Sequence, residues 1–182
     1  MNDSFCVKGS SIRSKFDYVR DTFGPRAELE LKESFSASDD IGSVLDSGLY
    51  PFDLYDRVLW AVAERFLDGD VNRLREVGAY SAEKSLTSIY RAFAEGKDFL
   101  GFLSRIQLLH QRFYTHGTMA VDIGDGNKST RITLTGAPTY SDADLQVAAG
   151  FYLGVGNLLG LESIRLHFER TDHGAVFDLS WA

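Results

Sequence analysis

The stretch TMAVDIGDGNKSTRITLT, residues 118 to 135, decides the fold. Met119, Val121 and Ile123 alternate with Ala120 and Asp122, the period-two pattern of a strand with one face buried. Gly124-Asp125-Gly126-Asn127 supplies residues that tolerate positive φ, so the chain turns back as a hairpin. On the return strand Ile132 and Leu134 point in, and Arg131, Thr133 and Thr135 point out. A second such pair closes the chain. Residues 163 to 169 place Ile164, Leu166 and Phe168 inward, and residues 175 to 181 do the same with Phe177, Leu179 and Trp181, across a turn at Thr171-Asp172-His173-Gly174. Between the hairpins, Ser141 caps a helix of about residues 141 to 159, with Asp142 and Asp144 in the first turn where the helix dipole favours acids.

Upstream of Thr118 the hydrophobic period is helical. Ile12, Phe16, Val19 and Phe23 mark a helix over 11 to 23 that Gly24-Pro25 stops. Residues 26 to 48 suggest two short helices, with Ser38 as a cap and Gly48 as a stop. Pro51 opens a helix to about Leu67 along Phe52, Tyr55, Leu59, Val62 and Phe66. A long helix over 71 to 94 carries Leu74, Val77, Leu86, Ile89, Tyr90 and Phe93, with Gly78 marking a bend or close crossing. Gly150 and Gly154 form a smooth face expected to pack on the sheet. A last stripe, Phe99, Phe102, Leu103, Ile106, Leu109, His110 and Phe113, runs from 99 to 114. The reading is a single α+β domain over 1–182: a helical half, 1–117, packed on a four-stranded antiparallel sheet of two hairpins with one helix between them, the β-β-α-β-β half, 118–182. Its outer face carries Asp122, Arg131, Thr133, Arg165, His167 and Asp178.

Composition excludes several classes. In 182 residues, 44% are apolar and 25% charged, the range of an ordinary globular domain with a core of its own. One cysteine, Cys6, rules out a disulfide framework and a cysteine zinc site. A charge of −7 argues against nucleic acid, and the lack of a long apolar run argues against a membrane span or signal peptide, so the expected compartment is the cytoplasm.

No motif supports an enzyme. Gly154, Gly156 and Gly160 lie late in a helix, whereas a dinucleotide fingerprint opens one. The acidic turns at 68 to 70 and 122 to 125 lack calcium-loop spacing. His110, His116, His167 and His173 offer no i, i+4 pair for a metal, so no metal site is assigned. There is no nucleophile elbow around a serine. What stands out is the ring supply on the central helices, which makes an aromatic-lined apolar pocket against the sheet the candidate ligand site. Tyr55, Tyr90, Phe93, Phe102, His110 and Phe113 are its expected lining.

VKGS at 7 to 10, LYPFDLYDRVLWAV at 49 to 62, LREVGAYSAEKSLTSIYRAF at 74 to 93, RFYTHG at 112 to 117 and DLSW at 178 to 181 together resemble the myxobacterial paralogue family of unknown function. That family is similar to haem-NO-binding-like and vinyl-reductase-type ligand-binding domains. The resemblance covers nearly the whole chain and implies helices against a four-stranded antiparallel sheet. It implies a pocket for haem, an aromatic effector or an acyl chain, or a role in assembly. The last hairpin lacks the cysteines of many relatives, which argues against metal or thiol chemistry, and the haem-sensor signature of tyrosine, serine and arginine at every second residue is absent, which argues against haem, so no tightly bound cofactor is expected. The leading expectation is a non-enzymatic sensory or regulatory domain for a small hydrophobic or aromatic ligand. Its rivals are a dimerisation or signalling-partner module without a ligand, and a haem or gas sensor using His110.

Overall fold

A computed structural model describes residues 5–88, 90–137 and 140–182. Four strands form the main sheet: β3, Thr118–Ile123; β4, Ser129–Thr135; β5, Arg165–Thr171; and β6, Gly174–Ser180. Their spatial order is β3-β4-β6-β5, antiparallel throughout, so the two expected hairpins join through β4 and β6. The register sets Ile132 beside Phe177 and Phe168 across from Phe177 on the core face. Arg131 and Asp178 pair on the outer face. Ile123, expected inside, is 51% exposed at the end of β3, an edge strand of the sheet.

The helix between the hairpins is α7, Asp142–Leu158. Ser141 caps it, its Oγ accepting from the Asp144 amide at 3.1 Å. The N-terminal half contributes α1, Gly9–Phe23; α2, Pro25–Glu33; α3, Phe52–Phe66; α4, Leu74–Leu86; α5, Phe99–Leu103; and α6, Ile106–Phe113. Gly24 ends α1 with a φ of 97°, and Pro25 then starts α2 at a position where its missing N–H costs nothing. The two short helices expected over 26 to 48 reduce to α2 and two single 3-10 turns. The capping residue there is Ser36, paired with Asp39, in place of Ser38.

Two elements differ more. Cys6–Lys8 (β1) and Leu49–Pro51 (β2) form a small antiparallel ribbon that no periodicity announces, being three residues long each. Val7 also bridges to Tyr114, which ties the start of the chain to the end of α6. The long helix expected over 71 to 94 stops at Leu86, and Arg91–Phe93 is a lone 3-10 turn. Ile89 lies outside the described residues. The glycine face of α7 packs on α4 and not on the sheet: a β-carbon on Gly150 would overlap the Arg75 carbonyl, and one on Gly154 would stand 2.8 Å from the Ala79 α-carbon. Buried residues from both halves form one continuous core. Among the described residues no helix is long and apolar enough to cross a membrane.

Candidate functional site

Where α1, α4, α6, α7 and the sheet converge, the side chains leave a cavity of about 90 Å³. Lys15, Tyr55, Ser81, His110, Phe113 and Asp144 are among the residues around it. The pocket expected to be apolar therefore carries a cation and an anion in its wall.

Lys15 reaches the cavity because it shares a helix face with Ile12 and Val19, three residues after one and four before the other. It is 2% exposed. Its ammonium donates to Ser81 Oγ at 3.0 Å and to Ser14 Oγ at 3.2 Å, and lies 5.6 Å from the Tyr55 ring centre. Burial pulls its pKa down to about 8, against the opposing pull of the Asp144 charge.

Asp144 stands in the first turn of α7 and is fully buried. Tyr114 Oη donates to its Oδ1 at 3.0 Å, whereas Oδ2 has no hydrogen-bond partner among the described residues. Burial pushes this carboxyl up to about 6, opposed by the Tyr114 and Tyr55 hydroxyls and by Lys15. At neutral pH both groups are charged. Each feels the other's charge, and no ion pair within 4 Å joins them. Burial also raises the Tyr55, Tyr114 and Tyr140 hydroxyls well above their ordinary range, so all three stay neutral donors.

His110 closes another wall. Its Nε2–H donates to the His116 carbonyl at 2.8 Å, which leaves the lone pair on Nδ1, and burial keeps the ring neutral by lowering its pKa. The chain can pass this close only because residue 117 is glycine: its φ is 89°, and a β-carbon there would stand 2.8 Å from His110 Nε2. His110 stacks on Tyr114, ring centres 4.8 Å apart, and Tyr140 stacks on Phe52 at 5.1 Å. Nearby His116 has no hydrogen-bond partner for either ring nitrogen among the described residues, and burial lowers its pKa to about 4.

Of the six residues expected to line the pocket, Tyr55, His110 and Phe113 border the cavity. Tyr90 does not; it stands behind Phe113, ring centres 4.9 Å apart in a T-shape. Phe93 belongs to the 3-10 turn beyond α4 and contacts Tyr90, because the helix that was to carry it inward ends at Leu86. Phe102 is wholly buried beside Phe99 in the core, since the stripe from 99 to 114 breaks into two helices that face different neighbours. The periodicity passed over Lys15, Tyr114, Tyr140 and Asp144. A lysine on the apolar face of α1 was the one available signal; Asp144 looked like an ordinary first-turn acid. Among the described residues no cluster of three or more histidine, cysteine or acidic side chains is placed to hold a metal.

Helices on one face of an antiparallel β3-β4-β6-β5 sheet, with an interhelical cavity above it, define the haem-NO-binding-like α+β fold. Solved structures share it over nearly the whole chain. The unliganded Fe(II) H-NOX protein from K. algicida superposes with a TM-score of 0.72 at 17% identity, covering 96% of each chain. An oxygen-binding H-NOX domain related to soluble guanylate cyclases, in its oxygen complex, gives 0.67 at 16% identity over 94% of this chain and 92% of that one. A structure addressing haem redox potential through porphyrin distortion gives 0.69 at 16%, over 96% and 99%. No protein-family model matches the chain. No curated protein matches it either. These likenesses correct the expectation that argued against haem: the fold is one in which structural neighbours carry haem, whatever the missing signature suggested.

Proposed function

We propose that this chain is a small-molecule-binding sensory domain whose ligand enters the cavity between α1, α4, α6, α7 and the sheet. One observation carries the reading: the cavity holds a buried lysine and a buried aspartate that are not paired with each other. Removing two charges from water is costly unless their hydrogen-bonding sites are filled, and the cavity that both line is room for a molecule that fills them. Ser81 lies 3.0 Å from the Lys15 ammonium but has its proton committed to the Val77 carbonyl, so the reading is binding and not nucleophilic catalysis. Native mass spectrometry of gently purified protein tests this. The expected spectrum contains a reproducible adduct that denaturation removes. Bare protein, together with no thermal stabilisation by any member of a small-metabolite panel, would overturn it.

Haem is the second reading, favoured by the H-NOX likeness and by His110. A neutral imidazole on the wall of the cavity is the axial donor that haem iron takes in many proteins. His110 Nδ1 has the lone pair for it, or Nε2 would have to release the His116 carbonyl. At about 90 Å³ the cavity must open before it admits a porphyrin, since cofactor pockets run to about 300–1,000 Å³. Haem bound in this way would supply an iron that takes up a diatomic gas. Reconstitution should give a Soret band in the wild type that His110→Ala shifts or abolishes; equal spectra for both proteins would remove His110 from the reading.

A further inference from the structure

We propose that the cavity recognises a small zwitterion of the amino-acid class, its carboxylate held by Lys15 and its ammonium by Asp144. The inference rests on the ligand-binding reading above and names the ligand chemistry of that site.

Each charged group keeps one hydrogen-bonding position in reserve. An ammonium has three N–H donors, and two of those on Lys15 are taken by Ser81 and Ser14, so a third is left for an anionic acceptor. Asp144 Oδ1 accepts from Tyr114, and Oδ2, fully buried, has no donor within hydrogen-bond geometry among the described residues, although the Tyr55 hydroxyl is near enough to favour the ionised carboxyl. The complement of such a wall is a ligand with an acceptor at one end and a donor at the other. Its net charge must be near zero, because the cavity already balances one cation against one anion; a simple anion would leave Asp144 unanswered, and a simple cation would leave Lys15 so. Charge-assisted hydrogen bonds at both ends are the strong kind.

The remaining wall limits the size. A dry cavity of about 150 Å³ accepts benzene, so about 90 Å³ suits a ligand of roughly five heavy atoms, the size of glycine. Phe113, Ile106 and Val147 offer an apolar side for nothing larger than a minimal side chain. Ser81 has its own proton committed to the Val77 carbonyl at 2.8 Å, so it holds Lys15 as an acceptor and does not compete for the ligand's ammonium.

The test is saturation-transfer NMR and calorimetry on the whole chain with glycine and alanine, set against acetate and methylamine, each of which carries only one of the two charges. Saturable glycine binding at least ten-fold tighter than either single-headed probe is expected. Lys15→Met and Asp144→Asn should each weaken glycine by ten-fold or more. As a measure independent of these variants, the carboxyl carbon of Asp144 is titrated by NMR in the wild type. Saturating glycine should move its midpoint downward, because an ammonium then faces a group otherwise surrounded by Tyr55, Tyr114, Asp56 and Lys15. Acetate or methylamine binding as tightly as glycine would overturn the zwitterion. So would glycine binding that both variants leave intact, or an unmoved Asp144 midpoint under saturating glycine. A retained native-spectrum adduct of another class, with no glycine binding, would overturn this inference and leave the sensory reading standing. No adduct and no binding of any probe would remove both.

Discussion

Gly78 of α4 lies directly against the Val147 carbonyl of α7, so that a β-carbon at 78 would overlap that oxygen. The two helices approach through their glycines, Gly78 on one and Gly150 and Gly154 on the other. This contact sets the cavity roof, because Ser81 lies on α4 one turn beyond Gly78 and Val147 lies on α7 one turn beyond Asp144. Gly78→Ala improves helix propensity by about 1 kcal/mol, but overpacking against a backbone atom costs about 1–3 kcal/mol or more. The expected result is a net loss of up to about 2 kcal/mol in urea denaturation. Gly42→Ala, with nothing within 4 Å, serves as the control and should stay within about 0.5 kcal/mol of wild type. Equal stability of the two variants would mean that the helices do not cross so closely.

The strands and most helices were legible because their signals are local. Alternation at Met119 to Ile123, the turn at 124 to 127 and the cap at Ser141 each depend on a few neighbouring residues. The helix crossing was half legible: Gly78 announced a close approach, but Gly150 and Gly154 gave no hint whether a helix or the sheet would meet them. The cavity was least legible. Tyr55, His110 and Phe113 sit on apolar stripes and were found that way, whereas Lys15 and Asp144 come from helices distant in sequence and meet at one cavity only in three dimensions. Phe102 had the same periodicity as Phe113, and the break between α5 and α6 separated them.

Tyr114 is the sole donor to Asp144 Oδ1 among the described hydrogen bonds. Tyr114→Phe leaves a fully buried carboxylate oxygen unsatisfied, which costs about 1–3 kcal/mol. The bond favours the ionised acid, so the penalty should be largest at pH 7 and shrink at pH 5, where Asp144 is mostly protonated. Chemical denaturation of both proteins at the two pH values measures it. A penalty independent of pH would point to lost packing alone.

Arg131 and Asp178 make a two-pronged ion pair on the outer sheet face, at 2.8 and 3.0 Å. Both side chains remain about half exposed, at 59% and 46%. Solvent screening keeps such pairs within about 1 kcal/mol, even though Arg131 holds the Asp178 carboxyl below its usual range. A double-mutant cycle with Arg131→Ala and Asp178→Ala should give a coupling below about 1 kcal/mol. A larger coupling would mean that something covers this face in solution.

The buried charges of the cavity make a distinct pH signature. Asp144 titrates near 6 in the folded chain and near its ordinary 3.8 when unfolded, so between these values the native state binds the extra proton. Its contribution to stability therefore falls as pH rises from about 4 to 6. Lys15 titrates near 8 folded and 10.5 unfolded, so between these values the unfolded chain binds the extra proton, and stability rises with pH through that window. Each shift of two units or more corresponds to about 3 kcal/mol. His116 and His110, both kept neutral by burial, act in the opposite sense to Asp144 at acid pH, where the unfolded state gains their protons first. The Asp144 contribution is therefore read as wild type minus Asp144→Asn, and that of Lys15 as wild type minus Lys15→Met. The first difference should decline from pH 4 to 6, the second should climb from pH 8 to 10, and both should be flat from 6 to 8. Flat differences throughout would mean that water reaches these groups and that the cavity is not closed around them. A ligand answering both charges should raise stability most between pH 6 and 8, where the two are least well compensated by the protein alone.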